Sequence, residues 1–165
     1  RVEPNVLIKM VGLLASSSGV AGMAGGQAVD LAAAGKEMTE AEMKSMHLLK
    51  TGALIKASAE IGALSTNKRN DALFSAISDY AKYIGIAFQV KDDILDIESD
   101  TSTLGKPQGS DESMNKPTYP NLLGLEGAKE MAHKLHHKAI KCLDVFDEKA
   151  KMLREIADYI INRSK

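Results

Sequence analysis

The run Tyr83-Ile84-Gly85-Ile86-Ala87-Phe88-Gln89-Val90-Lys91-Asp92-Asp93-Ile94-Leu95-Asp96 decides how this chain folds. Its first half carries apolar or small side chains on nearly every side of a helix, the pattern of a helix enclosed within a bundle. Its second half breaks that pattern with acids. At about 100° per residue, Asp92 and Asp96 stand one turn apart on nearly the same line, with Asp93 beside them and Gln89 one turn before Asp93. Two negative charges about 6 Å apart repel by roughly 2–3 kcal/mol at an effective dielectric of about 20, and only Lys91 is close enough in sequence to help. Oxygen ligands without Cys or His partners suit a hard cation. Mg²⁺, with Mn²⁺ able to stand in, takes one or two carboxylates, several waters and the oxygens of a phosphate. A solvated, acidic helix terminus is the alternative reading of the same residues.

Outward from this run, every periodic segment reads as helix. Downstream, residues 99–117 hold Gly105, Pro107, Gly109 and Pro117 and predict a long loop, of the kind that often carries function. Two helices follow, at about Leu125–Phe146 and Lys149–Asn162. Upstream, the acid-bearing helix begins near Asn70 or Asp71. Before it, Thr39 and Glu42 form a capping box that opens a helix running to about Ala63. The inward stripe of that helix is Met43, Met46, Lys50, Ala53 and Ala57, which places a lysine at an apolar-face position. Pro4 opens a short helix over Val6–Leu14, and Ser18 is read as the cap of a second helix ending at Gly35. With no alternating strand pattern, the fold class is an all-α bundle.

The lysines complete a chemical pattern. Lys106 sits in Gly105-Lys106-Pro107 just after the acids, and Lys116 lies further along the same loop. Lysines converging with Lys50 on metal-binding carboxylates would make a diphosphate site, because metal and ammonium share the phosphate charge. A snorkelling Lys50 and solvated loop lysines are the plainer alternative.

Composition narrows the setting. Among 165 residues, 21 Lys and Arg face 22 Asp and Glu, so there is no strong positive field for nucleic acid or an anionic membrane. The single cysteine, Cys142, closes no intrachain disulfide and is read as a small apolar core residue. A cytoplasmic location is the expectation. Met10–Val29 carries no charge, but serines, Gln27 and glycines interrupt it, so a buried, glycine-rich helix pair is expected rather than a membrane span. His133, His136 and His137 lie among Lys134, Lys138 and Lys141 and read as a solvated face.

Phe88-Gln89-x-x-Asp92-Asp93-x-x-Asp96 resembles the second aspartate-rich motif of the trans-isoprenyl diphosphate synthases. Gly25-Gly26-Gln27-x-x-Asp30-Leu31, Lys50-Thr51-Gly52, Leu104-Gly105-Lys106, Gly109-Ser110-Asp111 and Lys116-x-Thr118-Tyr119-Pro120 agree in order and approximate spacing. The terminal Ala157-Asp158-Tyr159-Ile160-Ile161 is similar to the bacterial farnesyl diphosphate synthases of that family. The resemblance implies an all-α isoprenoid-synthase bundle around a deep cavity, with two aspartate-rich motifs facing each other near its mouth. It implies that Asp92, Asp93 and Asp96 bind or support Mg²⁺, with Asp92 foremost. Lys50, Thr51, Lys106 and Lys116 match positions that contact an allylic diphosphate, and Lys50 and Lys106 stand with Asp92 as the catalytic set. Gln27, Asp30 and Gln89 match polar positions lining the substrate site. The implied reaction condenses isopentenyl diphosphate with an allylic diphosphate, in an enzyme that forms a homodimer.

One departure from the family is large. There is no first aspartate-rich motif and no arginine pair after it; the arginines are Arg1, Arg69, Arg154 and Arg163, far apart. Residues 1–165, beginning at Arg1 rather than Met, therefore read as the C-terminal portion of a single polyprenyl synthase domain, inactive alone. Two alternatives remain: a class I terpene cyclase, whose usual second metal motif differs from this one, and a non-catalytic helical subunit or interaction protein of the same fold.

Overall fold

Residues 84–87 are buried one after another, so the helix that carries them, α5 (Asp71–Glu98), is enclosed on every side at that level, as its composition predicts. The computed structural model describes residues 2–66, 70–98 and 117–164. Before α5 come α1 (Pro4–Ser18), α2 (Met23–Ala33), α3 (Glu40–His47), a π-helical turn (Leu48–Gly52) and α4 (Ala53–Leu64). After it come α6 (Tyr119–Cys142), a 3₁₀ turn (Glu148–Ala150) and α7 (Lys151–Asn162). The described residues contain no strand, in keeping with an all-α chain.

The core forms where α5, α6 and α7 meet. Ile84, Ile86, Val90 and Ile94 of α5 pack with Ala128, Ala132, Leu135 and Ala139 of α6 and with Ala157, Ile160 and Ile161 of α7. The small side chains Ala128, Ala132 and Ala139 recur at steps of four and seven along one face of α6, which lets its backbone come close to α5. Burying one such isoleucine contributes about 1.5–3 kcal/mol. Polar ties then fix the last helix in place. The Tyr80 hydroxyl donates to Leu153 O at 2.6 Å, and the Arg154 guanidinium donates to the carbonyls of Leu143, Phe146 and Asp147.

Local chemistry sets the helix ends, in three places differently from the sequence expectation. The Thr39–Glu42 capping box forms as read, and Asn70 Oδ1 accepts from the Leu73 N–H at the start of α5. Ser18, expected to cap α2, instead donates to Leu14 O at 2.8 Å and closes α1, which runs past Leu14; Gly22 precedes α2. The single helix expected to Ala63 is interrupted by the π-helical turn at Leu48–Gly52. The helix expected from Leu125 begins at Tyr119, capped by Thr118 and broken at Gly124, whose φ of 74° favours glycine.

The first helix pair needs a larger correction. Although α1 and α2 form as two helices, the buried pair predicted from Met10–Val29 is not found. No residue of α1 is buried, and Ile8, Val11, Val20 and Leu31 are all at least 66% exposed. By length and hydropathy Pro4–Ala33 passes as a membrane-span candidate, yet it is two helices separated at residues 19–22.

Candidate functional site

Lys50 and Thr51 lie in the π-helical turn, where an extra residue per turn shifts the side chains off the stripe that a regular helix would continue. Opposite them, α2 comes so close that a Cβ on Gly26 would lie 2.2 Å from the Lys50 backbone nitrogen. Gly85 of α5 plays the same part on the other side, where an added Cβ would meet Gly52 Cα at 3.0 Å. Three backbones are thus drawn together around Lys50, Thr51 and Gly52.

This close approach lets distant polar groups meet. Lys50 Nζ pairs with Asp30 Oδ2 of α2 at 2.8 Å, with Asp30 buried and the lysine side chain 27% exposed. Thr51 Oγ1 donates to Gln89 Oε1 at 3.2 Å, and Gln89 Nε2 donates to Asp93 Oδ1 at 3.1 Å. The Tyr119 N–H at the start of α6 donates to Asp93 Oδ2 at 3.0 Å. A continuous polar line therefore runs from the π turn through α5 to α6, and Asp93 has both oxygens engaged.

The other acids sit differently. Asp96 is 2% exposed, deep within α5. Asp92 is more open, at 39% side-chain exposure, and its Oδ1 pairs with Arg163. That arginine also donates to Phe88 O at 3.3 Å and lies over the Phe88 ring, 4.3 Å from its centroid. Gln27 is half-buried on α2 between Gly26 and Asp30. Lys106 and Lys116 lie outside the described residues.

Sequence reasoning passed over three participants. His47 is buried and holds its ring 5.4 Å from that of Tyr119. Burial, then the Lys50 charge, pushes the His47 imidazole down to about 4, so it is neutral at ordinary pH. Burial, then Asp93 and Glu40, pushes the Tyr119 phenol up. His47 precedes Lys50 by one turn, a spacing visible in sequence, whereas no periodic signal joins Arg163 or the Tyr119 N–H to the acids.

The acids fit a hard divalent cation through Asp92, an oxygen donor open to solvent, braced by buried neighbours. They do not make a cage: among the described residues no three His, Cys, Asp or Glu side chains converge on a metal position. Mg²⁺ with a diphosphate needs none, since waters and phosphate oxygens complete its shell. The histidines on α6 stay apart from this chemistry, with His136 Nε2 at 2.7 Å from Asp158 Oδ1 on α7. Cys142 is half-buried, and burial pushes its thiol up rather than activating it.

Known proteins share this arrangement of helices and sequence. The polyprenyl synthetase family model matches residues 6–160. A farnesyl diphosphate synthase of Escherichia coli (strain K12) is 47% identical over 161 residues, covering 96% of this chain and 54% of the relative. An FPP/GFPP synthase structure from Zymomonas mobilis aligns with a TM-score of 0.84 at 37% identity, over 97% of this chain and 52% of that one. A geranyltransferase from Helicobacter pylori, solved with magnesium and isoprenyl diphosphate, aligns with a TM-score of 0.82 at 29% identity, over 97% of this chain and 52% of that one. The chain spans about half the length of the curated relatives it matches. With a match running through nearly all of its helices, it belongs to the polyprenyl synthetase family and carries part of that family's all-α isoprenoid-synthase fold.

Proposed function

We propose that this chain supplies one wall of the active site of a Mg²⁺-dependent short-chain isoprenyl diphosphate synthase. The reaction joins isopentenyl diphosphate to a dimethylallyl or geranyl diphosphate and gives farnesyl diphosphate or a product of similar length. The observation that carries this reading is the joined array of Lys50–Asp30 and Thr51–Gln89–Asp93 beside the open carboxylate of Asp92. The farnesyl diphosphate synthase relatives and the magnesium and isoprenyl diphosphate of the Helicobacter pylori structure support the substrate class and the metal.

Each residue has a part. Lys50 holds a positive charge at the diphosphate, kept in place by Asp30, and Thr51 offers a hydroxyl beside it. Lys106 and Lys116 add ammonium groups from the loop. Asp93 and Gln89 hold the wall rigid, so the donors stand ready as charge develops on the departing pyrophosphate. Asp92, with Asp93 and Asp96 in support, would hold Mg²⁺, which would supply positive charge to the diphosphate. The allylic C–O bond breaks, the isopentenyl double bond attacks the carbocation, and the proton lost passes to pyrophosphate. The remaining wall, with the other aspartate-rich motif, completes the site, in a homodimeric, cytoplasmic enzyme of which residues 1–165 form the C-terminal portion of one domain.

A Mg²⁺-dependent thermal shift with inorganic pyrophosphate tests the binding half of this reading. A rise in Tm only when both are present is expected. No shift, or the same shift with chelator, contradicts a diphosphate site.

A further inference from the structure

Arg163 closes the last helix from a position 71 residues beyond Asp92. Its backbone N–H donates to Tyr159 O at 2.9 Å and ends α7. Its side chain is 11% exposed, stacked on Phe88 and bonded to the Phe88 carbonyl, so the guanidinium has an anchor that does not need Asp92. Asp92 is the partner that solvent reaches. The carboxylate most open to an incoming metal is therefore already neutralised by a cation of the chain itself.

We propose that Arg163 is a placeholder for the metal at Asp92: it holds and neutralises the carboxylate when no divalent ion is bound, and the ion must displace it. The inference rests on Asp92 as a metal ligand. A guanidinium and a divalent cation both seek the same oxygen, and their mutual repulsion opposes simultaneous binding. Displacement leaves Arg163 still held over Phe88. Without Arg163, the acids of α5 would face one another with less compensation, and the empty site would be harder to form.

The test titrates Mn²⁺ with inorganic pyrophosphate into the full polypeptide and reads free Mn²⁺ by electron paramagnetic resonance. Arg163→Gln, which removes the competing cation and keeps a donor for Phe88 O, is expected to bind Mn²⁺ roughly tenfold more tightly. Arg163→Lys keeps the charge and is expected to stay near the parent. A chain ending at Asn162 gives the same reading should Arg163→Gln melt early. Unchanged or weaker binding without Arg163, or equal tightening in the lysine variant, overturns the proposal. Asp92→Asn separates this from the site assignment. Loss of Mn²⁺ binding in that variant keeps the site whatever Arg163 does, whereas parent-like binding removes the site and the placeholder with it.

Discussion

At the scale of single residues, His47 joins stability to pH. Its imidazole is pushed down to about 4, chiefly because burial disfavours its charged form, while an unfolded histidine titrates near its ordinary value of 6.5. Between those values the unfolded chain binds a proton that the folded chain refuses. The contribution is complete above about 6.5 and is lost as the pH falls toward 4, with a full size of roughly 3 kcal/mol. Urea unfolding at pH 7.5 and 5 measures it, and His47→Phe should flatten the difference between the two pH values. An undiminished difference in the variant would assign the slope to other groups. Asp93 shows the complementary case: a buried carboxylate that accepts from Gln89 and from the Tyr119 N–H is a brace. Its place in the acidic run and Gln89 one turn before it were plain from spacing, but its other partner, the Tyr119 N–H, lies 26 positions away and is a backbone group that no side-chain pattern announces.

At the scale of elements, two glycines set the geometry of the site. An alanine at Gly26 would drive its Cβ against the Lys50 backbone, with nearest atoms at 2.2 and 2.6 Å, and the colliding atoms are main chain with little room to yield. Gly26→Ala is expected to cost about 1–3 kcal/mol and to part Lys50 from Asp30. Urea denaturation checks it, and parent-like stability would mean that α2 does not approach the π turn so closely.

Strong periodicity made α5 and the capped start of α3 legible. The π turn was not, because steps of three and four along Met43, Met46, Lys50 and Ala53 suit either a regular helix or one with an inserted residue. The start of α6 was not legible because Pro120 and Gly124 interrupt its pattern, although the chain turns helically on both sides of Gly124. The pairing of Arg163 with Asp92 was not legible because a cation 71 residues further along the chain bears no periodic relation to the acids.

At the scale of the whole molecule, the apolar surface of α1 and α2 and the single acidic wall belong together. An uncharged stretch predicts burial, yet these described residues bury little of it within the chain, since burial depends on what packs against a face and not only on its composition. The relatives are about twice as long as the region they share with this chain, and the proposed site needs a second wall.

In the proposed enzyme Asp92 would hold the Mg²⁺ that stabilises the departing diphosphate, and prenyl transfer from radiolabelled isopentenyl diphosphate reads out that role. Residues 1–165 alone are expected to give no prenyl product. In the intact enzyme, Asp92→Ala and Lys106→Ala are each expected to lower kcat by about 10²–10³ while leaving Tm nearly unchanged. Near-normal turnover in purified Asp92→Ala enzyme would remove Asp92 from the reaction.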